Sequence, residues 1–241
     1  MAVTAEKTVR ELALENAAAT RVFEKLGIDY CCGGNQSLVD ACRAQNLSVD
    51  QVIDSLEMAE EGAHAAQKNR NWQMEPLADL IAHIKNTHHK FTREEMARLV
   101  PLMDKVCSVH GKNHPELEQV RASFQVLMQE LTTHMMKEER VLFPYIVRME
   151  EAVIQKEPVL PSPFGSVQNP VSMMVHEHDS AGNALHAMRE ASCGYTAPGD
   201  ACISYQTLYQ ALADFESDLH QHIHLENNIL FPRAIEMEKT H

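Results

Sequence analysis

Residues 134–144 read His134-Met135-Met136-Lys137-Glu138-Glu139-Arg140-Val141-Leu142-Phe143-Pro144. The pattern returns 88 positions later as His222-Ile223-His224-Leu225-Glu226-Asn227-Asn228-Ile229-Leu230-Phe231-Pro232. Both copies are H-x3-E-x3-L-F-P. On an α-helix, positions i and i+4 share a face one turn apart. Each copy therefore presents an imidazole beside a carboxylate, with Leu142 or Leu230 extending the stripe by a turn. Helical bundles hold pairs of metal ions with such side chains, projected inward from facing helices. A single H-x3-E on a helix is ordinarily a surface pair. Two copies with Leu-Phe-Pro at the same offset are far harder to obtain by chance.

The spacing of two further histidines extends the repeat. His89 lies 45 positions before His134, and His178 lies 44 positions before His222. Each half then contributes one histidine from its first helix and the His/Glu pair from its second. The expected ligands are His89, His134, Glu138, His178, His222 and Glu226. Imidazole with carboxylate suits iron, with zinc or manganese as alternatives, so the set predicts two metal ions, iron foremost, each with two imidazoles and with the glutamates able to bridge. Six protein ligands do not saturate two six-coordinate ions, which leaves positions for a small molecule or an oxo bridge. His88 is the competing register for His89, about 100° away on the helix, and His176 stands in the same relation to His178. Glu130, one turn before His134, and Glu177, beside His178, are candidates for lining an access path or bonding a ligand imidazole.

The organisation around these residues is all-α. Residues 1–60 predict a small helical unit, 61–75 a polar linker, and 76–241 a four-helix bundle of two hairpins. Val9, Leu12, Leu14, Val22, Phe23 and Leu26 give a helical apolar pattern with Gly27 as its C-cap. Further short helices are expected from Gln36 to Gln45 and from near Ser48. The bundle helices are expected over 76–109 with a kink or break near Pro101, 115–155 with a kink at Pro144, 171–193, and 201 to the end with a kink at Pro232. The proline-rich stretch 157–170 is a crossover loop. Met135, Met136, Met173 and Met174 read as core filler.

Composition excludes several classes. The 44% apolar content supports a packed core rather than disorder. A net charge of −13 disfavours nucleic acid as a partner, because that binding depends on basic residues neutralising phosphates. The sequence offers no apolar run long enough for a membrane span and no signal-peptide pattern, so the cytoplasm is the expected compartment. Six cysteines there are expected to be thiols. Cys31 and Cys32 are adjacent and precede Gly33-Gly34, a pairing open to soft-metal binding, thiol exchange or a strained vicinal disulfide, or else a turn with one buried cysteine. Cys42, Cys107, Cys193 and Cys202 show no ligand spacing and read as core residues.

Asp29-Tyr30-Cys31-Cys32-Gly33-Gly34 resembles the N-terminal signature of the repair-of-iron-centres family (RIC, ScdA/YtfE-like). The two H-x3-E segments with Leu-Phe-Pro, and Glu177-His178-Asp179, resemble its hemerythrin-like domain. Thr92 stands where that family often carries a histidine three residues after its first ligand. The resemblance covers nearly the whole chain. It implies a non-haem di-iron centre, oxo- and carboxylate-bridged, held by the six ligands named above. It also implies a part in repairing iron–sulfur clusters damaged by nitrosative or oxidative stress, with damaged iron–sulfur proteins as partners. Iron donation and nitric oxide reduction are the two candidate activities, and Cys31 and Cys32 are candidates for thiol or iron transfer. A hemerythrin-like carrier or sensor of oxygen or nitric oxide is the alternative, although oxygen-carrying hemerythrins are richer in histidine. A bundle with incidental histidines is the bland alternative. A homodimer is a candidate assembly.

Overall fold

The structure is a computed structural model that describes residues 4–31, 33–65, 71–159 and 162–240. Among the described residues it is helical throughout, and the sole β feature is an isolated bridge between Thr8 and Ser37. The chain forms two compact units. One comprises residues 1–76 with 220–232, and the other comprises 77–219 with 233–241.

In the first unit, α1 (Val9–Glu15) begins at a capping box. The Glu11 N–H donates to Thr8 Oγ1 (3.1 Å), and the Thr8 N–H donates to Glu11 Oε2 (2.8 Å). The apolar pattern expected as one helix is split at Asn16. This residue ends α1 and caps α2 (Ala17–Leu26) by accepting the Ala18 N–H at 2.9 Å. Gly27 ends α2 in the left-handed region, φ 68°. α3 (Leu38–Ala44) starts from Ser37, and α4 (Val49–Ala65) continues into the polar stretch that follows residue 60. Val9, Leu12, Phe23, Tyr30, Leu38 and Leu56 form the core of this unit. The turn before α3 is held by Asp29, whose carboxylate accepts the N–H of Cys31 (2.9 Å) and of Gly33 (2.8 Å). A Cβ at position 34 would sit 2.7 Å from the Tyr30 carbonyl oxygen, so this close approach needs glycine.

The second unit contains the long helices. α5 (Leu77–Ile84), a π-turn (Lys85–His89) and α6 (Lys90–His110) form one rod. α7 (Glu116–Lys137), a π-turn (Glu138–Leu142) and α8 (Phe143–Gln155) form the next, and α9 (Gln168–Ala191) the third. The fourth consists of α10 (Ile203–Leu225), a π-turn (Glu226–Leu230) and α11 (Phe231–Thr240). Residues 220–232 of that rod are the segment grouped with the first unit. The bundle is hydrophobic along its axis: Leu80, Leu99, Phe124, Leu127, Leu185, Leu208 and Phe215 are buried, with Phe124 and Phe215 edge to face at 5.9 Å. Burying each such side chain contributes roughly 1.5–3 kcal/mol. Glu150 fixes the entry of the first rod by accepting the Leu77 and Ala78 N–H groups at 2.6 and 2.8 Å.

The prolines behave differently from one another. The break expected near Pro101 is absent, because α6 runs through it unbroken. Pro144 and Pro232 each follow a π-turn in which the preceding phenylalanine N–H bonds five residues back, Phe143 to Glu138 and Phe231 to Glu226. A proline cannot supply the next N–H and crowds the carbonyl four residues earlier. The widened turn accommodates this, so the expected kinks take the form of π-turns. Two expectations about the core are corrected. Met135 and Met174 are buried, but Met136 and Met173 are half exposed at surface positions. Cys42 is buried, whereas Cys193 and Cys202 are exposed because they lie at the ends of the loop joining α9 to α10. No helix among the described residues is long and apolar enough to cross a membrane.

Candidate metal centre

Each expected ligand occupies a defined place in its rod. His89 closes the first π-turn, Glu138 opens the second and Glu226 opens the third. His134 and His222 lie one turn before their glutamates, on α7 and α10, and His178 is on α9, which is regular α-helix throughout. π-turns recur at functional sites because the extra residue re-aims neighbouring side chains. Here three of the four rods have one at a candidate ligand position.

The six side chains form two overlapping groups. His89, Glu138, His222 and Glu226 offer ligand atoms that all lie within 4.8 Å of one another. His134, Glu138, His178 and Glu226 do the same. Each histidine belongs to one group and each glutamate to both. His89 Nε2 and His134 Nε2 both lie 3.3 Å from Glu138 Oε2, His222 Nε2 is 3.0 Å from Glu226 Oε1, and His178 Nε2 is 3.1 Å from His134 Nε2. All six are buried, and both glutamates are wholly so.

This donor set fits a pair of cations. Two carboxylates at zero exposure among imidazoles would cost several kcal/mol each if they stayed ionised without compensating charge. Bound cations would supply that charge. Nitrogen and oxygen donors together match iron's preferences.

The neighbouring residues sort themselves by geometry. His88 is outside both groups, and its Nδ1 lies 3.0 Å from Asp218 Oδ1. His176 is exposed. Glu177 approaches a ligand, with Oε2 2.9 Å from His134 Nδ1. Glu130 instead accepts from Ser180 Oγ at 3.0 Å. Glu139 is a contact the sequence reading missed, with Oε1 2.7 Å from His89 Nδ1. The sequence carried no signal for it, because on a regular helix its place about 100° from Glu138 would face a different neighbour, whereas here both side chains meet His89.

Cys31 is buried, and its Sγ donates to Asp29 Oδ1 at 3.3 Å. Cys32 lies outside the described residues. Tyr30, beside them, is tied to the segment that carries His222 and Glu226. Asn228 Nδ2 donates to the Tyr30 carbonyl at 3.2 Å and lies 2.8 Å from His224 Nδ1, while Tyr30 OH donates to Glu24, which also meets His220 Nδ1 at 3.0 Å. Burial, aided by the charge of Arg10, pushes the His224 pKa down to about 4, so this imidazole is neutral near pH 7.

Buried histidines and carboxylates gathered from four helical rods define a cation-binding helical bundle, and the hemerythrin HHE cation binding domain matches residues 79–234. The ScdA_N domain, described as a domain of unknown function (DUF542), matches residues 5–60. The chain is 36% identical over 235 residues to the iron-sulfur cluster repair protein YtfE of Pectobacterium carotovorum subsp. carotovorum, covering 97% of this chain and 98% of that protein. It is 35% identical over 228 residues to that of Yersinia pseudotuberculosis serotype IB, covering 94% and 96%. The chain belongs to the family of YtfE iron–sulfur cluster repair proteins.

Proposed function

We propose that the chain is a di-iron protein that supports the repair of iron–sulfur clusters damaged by nitrosative and oxidative stress. The observation that carries this reading is the pair of buried donor groups sharing Glu138 and Glu226. The family relationship adds the repair role that its relatives' names record. In this reading His89 and His222 hold one iron, His134 and His178 hold the other, and Glu138 and Glu226 bridge them. The residues 1–60 act as one module and 76–241 as another, joined by 61–75. The iron pair would supply two redox-active ions with coordination positions left for a small ligand such as nitric oxide or oxygen.

Two activities are compatible with the site, iron donation to a damaged cluster and reduction of nitric oxide. The protein's own contribution is the same for both. It buries four imidazoles with their ring nitrogens converging, and places two carboxylates where they tolerate a change of charge on the metals. Cys31 and Cys32 are the proposed thiol step between the site and a damaged iron–sulfur protein.

The test is recovery of a cluster enzyme after nitric oxide exposure, in cells with and without the chain. Faster recovery with the wild type, and recovery at the background rate with Glu138→Gln/Glu226→Gln, is the expected result. Equal recovery in all three strains overturns the reading. Purified protein that releases iron to an apo-cluster without consuming nitric oxide selects donation, and the converse selects reduction. A reversible oxygen adduct without either activity would favour a carrier or sensor.

A further inference from the structure

His89 and His134 are each gripped at both ring nitrogens. The inner contact is Glu138 Oε2, 3.3 Å from Nε2 of both rings. The outer contacts come from two further carboxylates. Glu139 Oε1 lies 2.7 Å from His89 Nδ1, and Glu177 Oε2 lies 2.9 Å from His134 Nδ1. Each outer carboxylate is itself held by a cation: Arg93 Nη2 donates to Glu139 Oε1 at 2.7 Å, and Lys137 Nζ donates to Glu177 Oε1.

The first grip comes from the π-turn. Glu138 and Glu139 are consecutive, yet one meets the inner nitrogen of His89 and the other the outer. The second grip comes from α9, where Glu177 is next to His178, and His178 belongs to the same donor group as His134. Each group thus contains one histidine with a carboxylate and a basic residue behind it.

An ionised carboxylate only accepts hydrogen bonds. Arg93 donates to Glu139 and Lys137 donates to Glu177, so each carboxylate faces a basic side chain on one side and an imidazole ring on the other. The ring atom facing each carboxylate must then carry the proton. With Nδ1 protonated, the neutral imidazole presents the Nε2 lone pair inward. A carboxylate behind a ligand histidine fixes its tautomer and orientation and raises its basicity.

We propose that Glu139, held by Arg93, and Glu177, held by Lys137, are positioning residues that lock His89 and His134 as Nε2 donors. Each thereby sets how tightly one of the two metal positions holds its ion. The proposal rests on the two-metal reading above and adds that the two positions can be weakened separately.

The experiment uses the full chain loaded with ferrous iron. Release to a ferrous chelator is followed for wild type, Glu139→Ala and Glu177→Ala, with Glu139→Gln and Glu177→Gln as graded variants that keep an acceptor without the charge. Each alanine variant should release one iron roughly 10–100-fold faster, with the second close to the wild-type rate. The glutamine variants should fall between. Metal-free proteins should unfold at the wild-type temperature, and imidazole nitrogen NMR should show the Nδ1–H tautomer of His89 lost only at position 139 and that of His134 only at 177. Unchanged release in both alanine variants overturns the proposal, as does accelerated release that tracks a lowered metal-free unfolding temperature. A wild type that takes up no iron pair removes the two-metal reading and this proposal together. Two irons bound with insensitive variants remove only the positioning roles.

Discussion

Two layers of the bundle are rich in histidine and carboxylate, and they use them in opposite ways. In the ligand layer, six groups converge in two sets, all buried, with glutamates shared between imidazoles. The other layer lies at the loop end, about 27 Å along α7 by helical rise. There His114 places Nδ1 2.8 Å from Glu116 Oε1 and Nε2 3.0 Å from Asp200 Oδ1, while His110 Nε2 sits 3.2 Å from Cys202 Sγ. Tyr205 packs on both histidine rings and bonds the Tyr209 hydroxyl. At the loop end both His114 nitrogens and His110 Nε2 have partners of their own, and the carboxylates reach solvent. Residue types alone therefore do not distinguish a metal centre from an ion-pair cluster. Burial together with shared carboxylates does.

The largest expected effect removes the charge from the ligand layer. Glu138→Gln/Glu226→Gln should reduce bound iron from about two per chain to well under one. Without iron the variant should unfold no earlier than wild type, because two desolvated charges have gone. Iron at about a hundred times its dissociation constant should stabilise wild type by about 2.7 kcal/mol for each site filled and the variant hardly at all. Metal analysis with calorimetry checks both. His114→Gln/Asp200→Asn should leave iron content intact, and loss of iron in that variant would break the comparison between the layers.

A smaller effect tests the backbone difference between the layers. Pro101 stands inside regular α6 on an exposed face. Pro101→Ala should restore a hydrogen bond and relieve a clash, raising stability by about 1–3 kcal/mol with iron content unchanged. Pro144 follows a π-turn that has already moved its hydrogen bond to Glu138. Pro144→Ala should gain less, and any return to α-helical register should show as weaker iron binding, since Glu138 and Glu139 would both turn away. Urea midpoints and iron titrations separate the two. Equal gains at both positions would mean that the π-turn owes nothing to the proline.

The H-x3-E repeat and the matched spacing of His89 and His178 pointed to the six residues that the structure gathers into two buried donor groups. They depend on helix periodicity, a local property. Glu139 was not legible, because its role depends on a π-turn that puts consecutive side chains on two sides of one imidazole. The break expected at Pro101 failed for a related reason. An exposed proline costs a helix one hydrogen bond, and packing of Met96, Leu99 and Met103 on the buried face outweighs it. The split at Asn16 was hidden because the apolar pattern runs on through it while the side chain diverts the backbone. The loop-end cluster has no periodic signature, since its partners come from residues 110–116 and 200–205, joined only by the fold.

The smallest expected effect lies in that cluster and has a definite sign. Hydrogen bonds to Asp200 and Glu116 raise the His114 pKa above its ordinary 6.5, and the bond to His114 lowers that of Asp200 below 3.8. The raised histidine contributes stability that is complete below about pH 6.5 and lost as pH climbs through its folded value. The depressed aspartate contributes stability present above about pH 3.8 and lost as pH falls through its folded value. Both contributions coexist between those limits. The urea midpoint of His114→Gln should therefore lag behind wild type most near pH 5.5 and converge with it by about pH 9. Added salt should shrink the gap, because exposed pairs are screened. A gap independent of pH and salt would mean that His114 acts through packing on Tyr205. The loop end would then resemble the ligand layer in relying on buried contacts, and the contrast between the two would rest on carboxylate sharing alone.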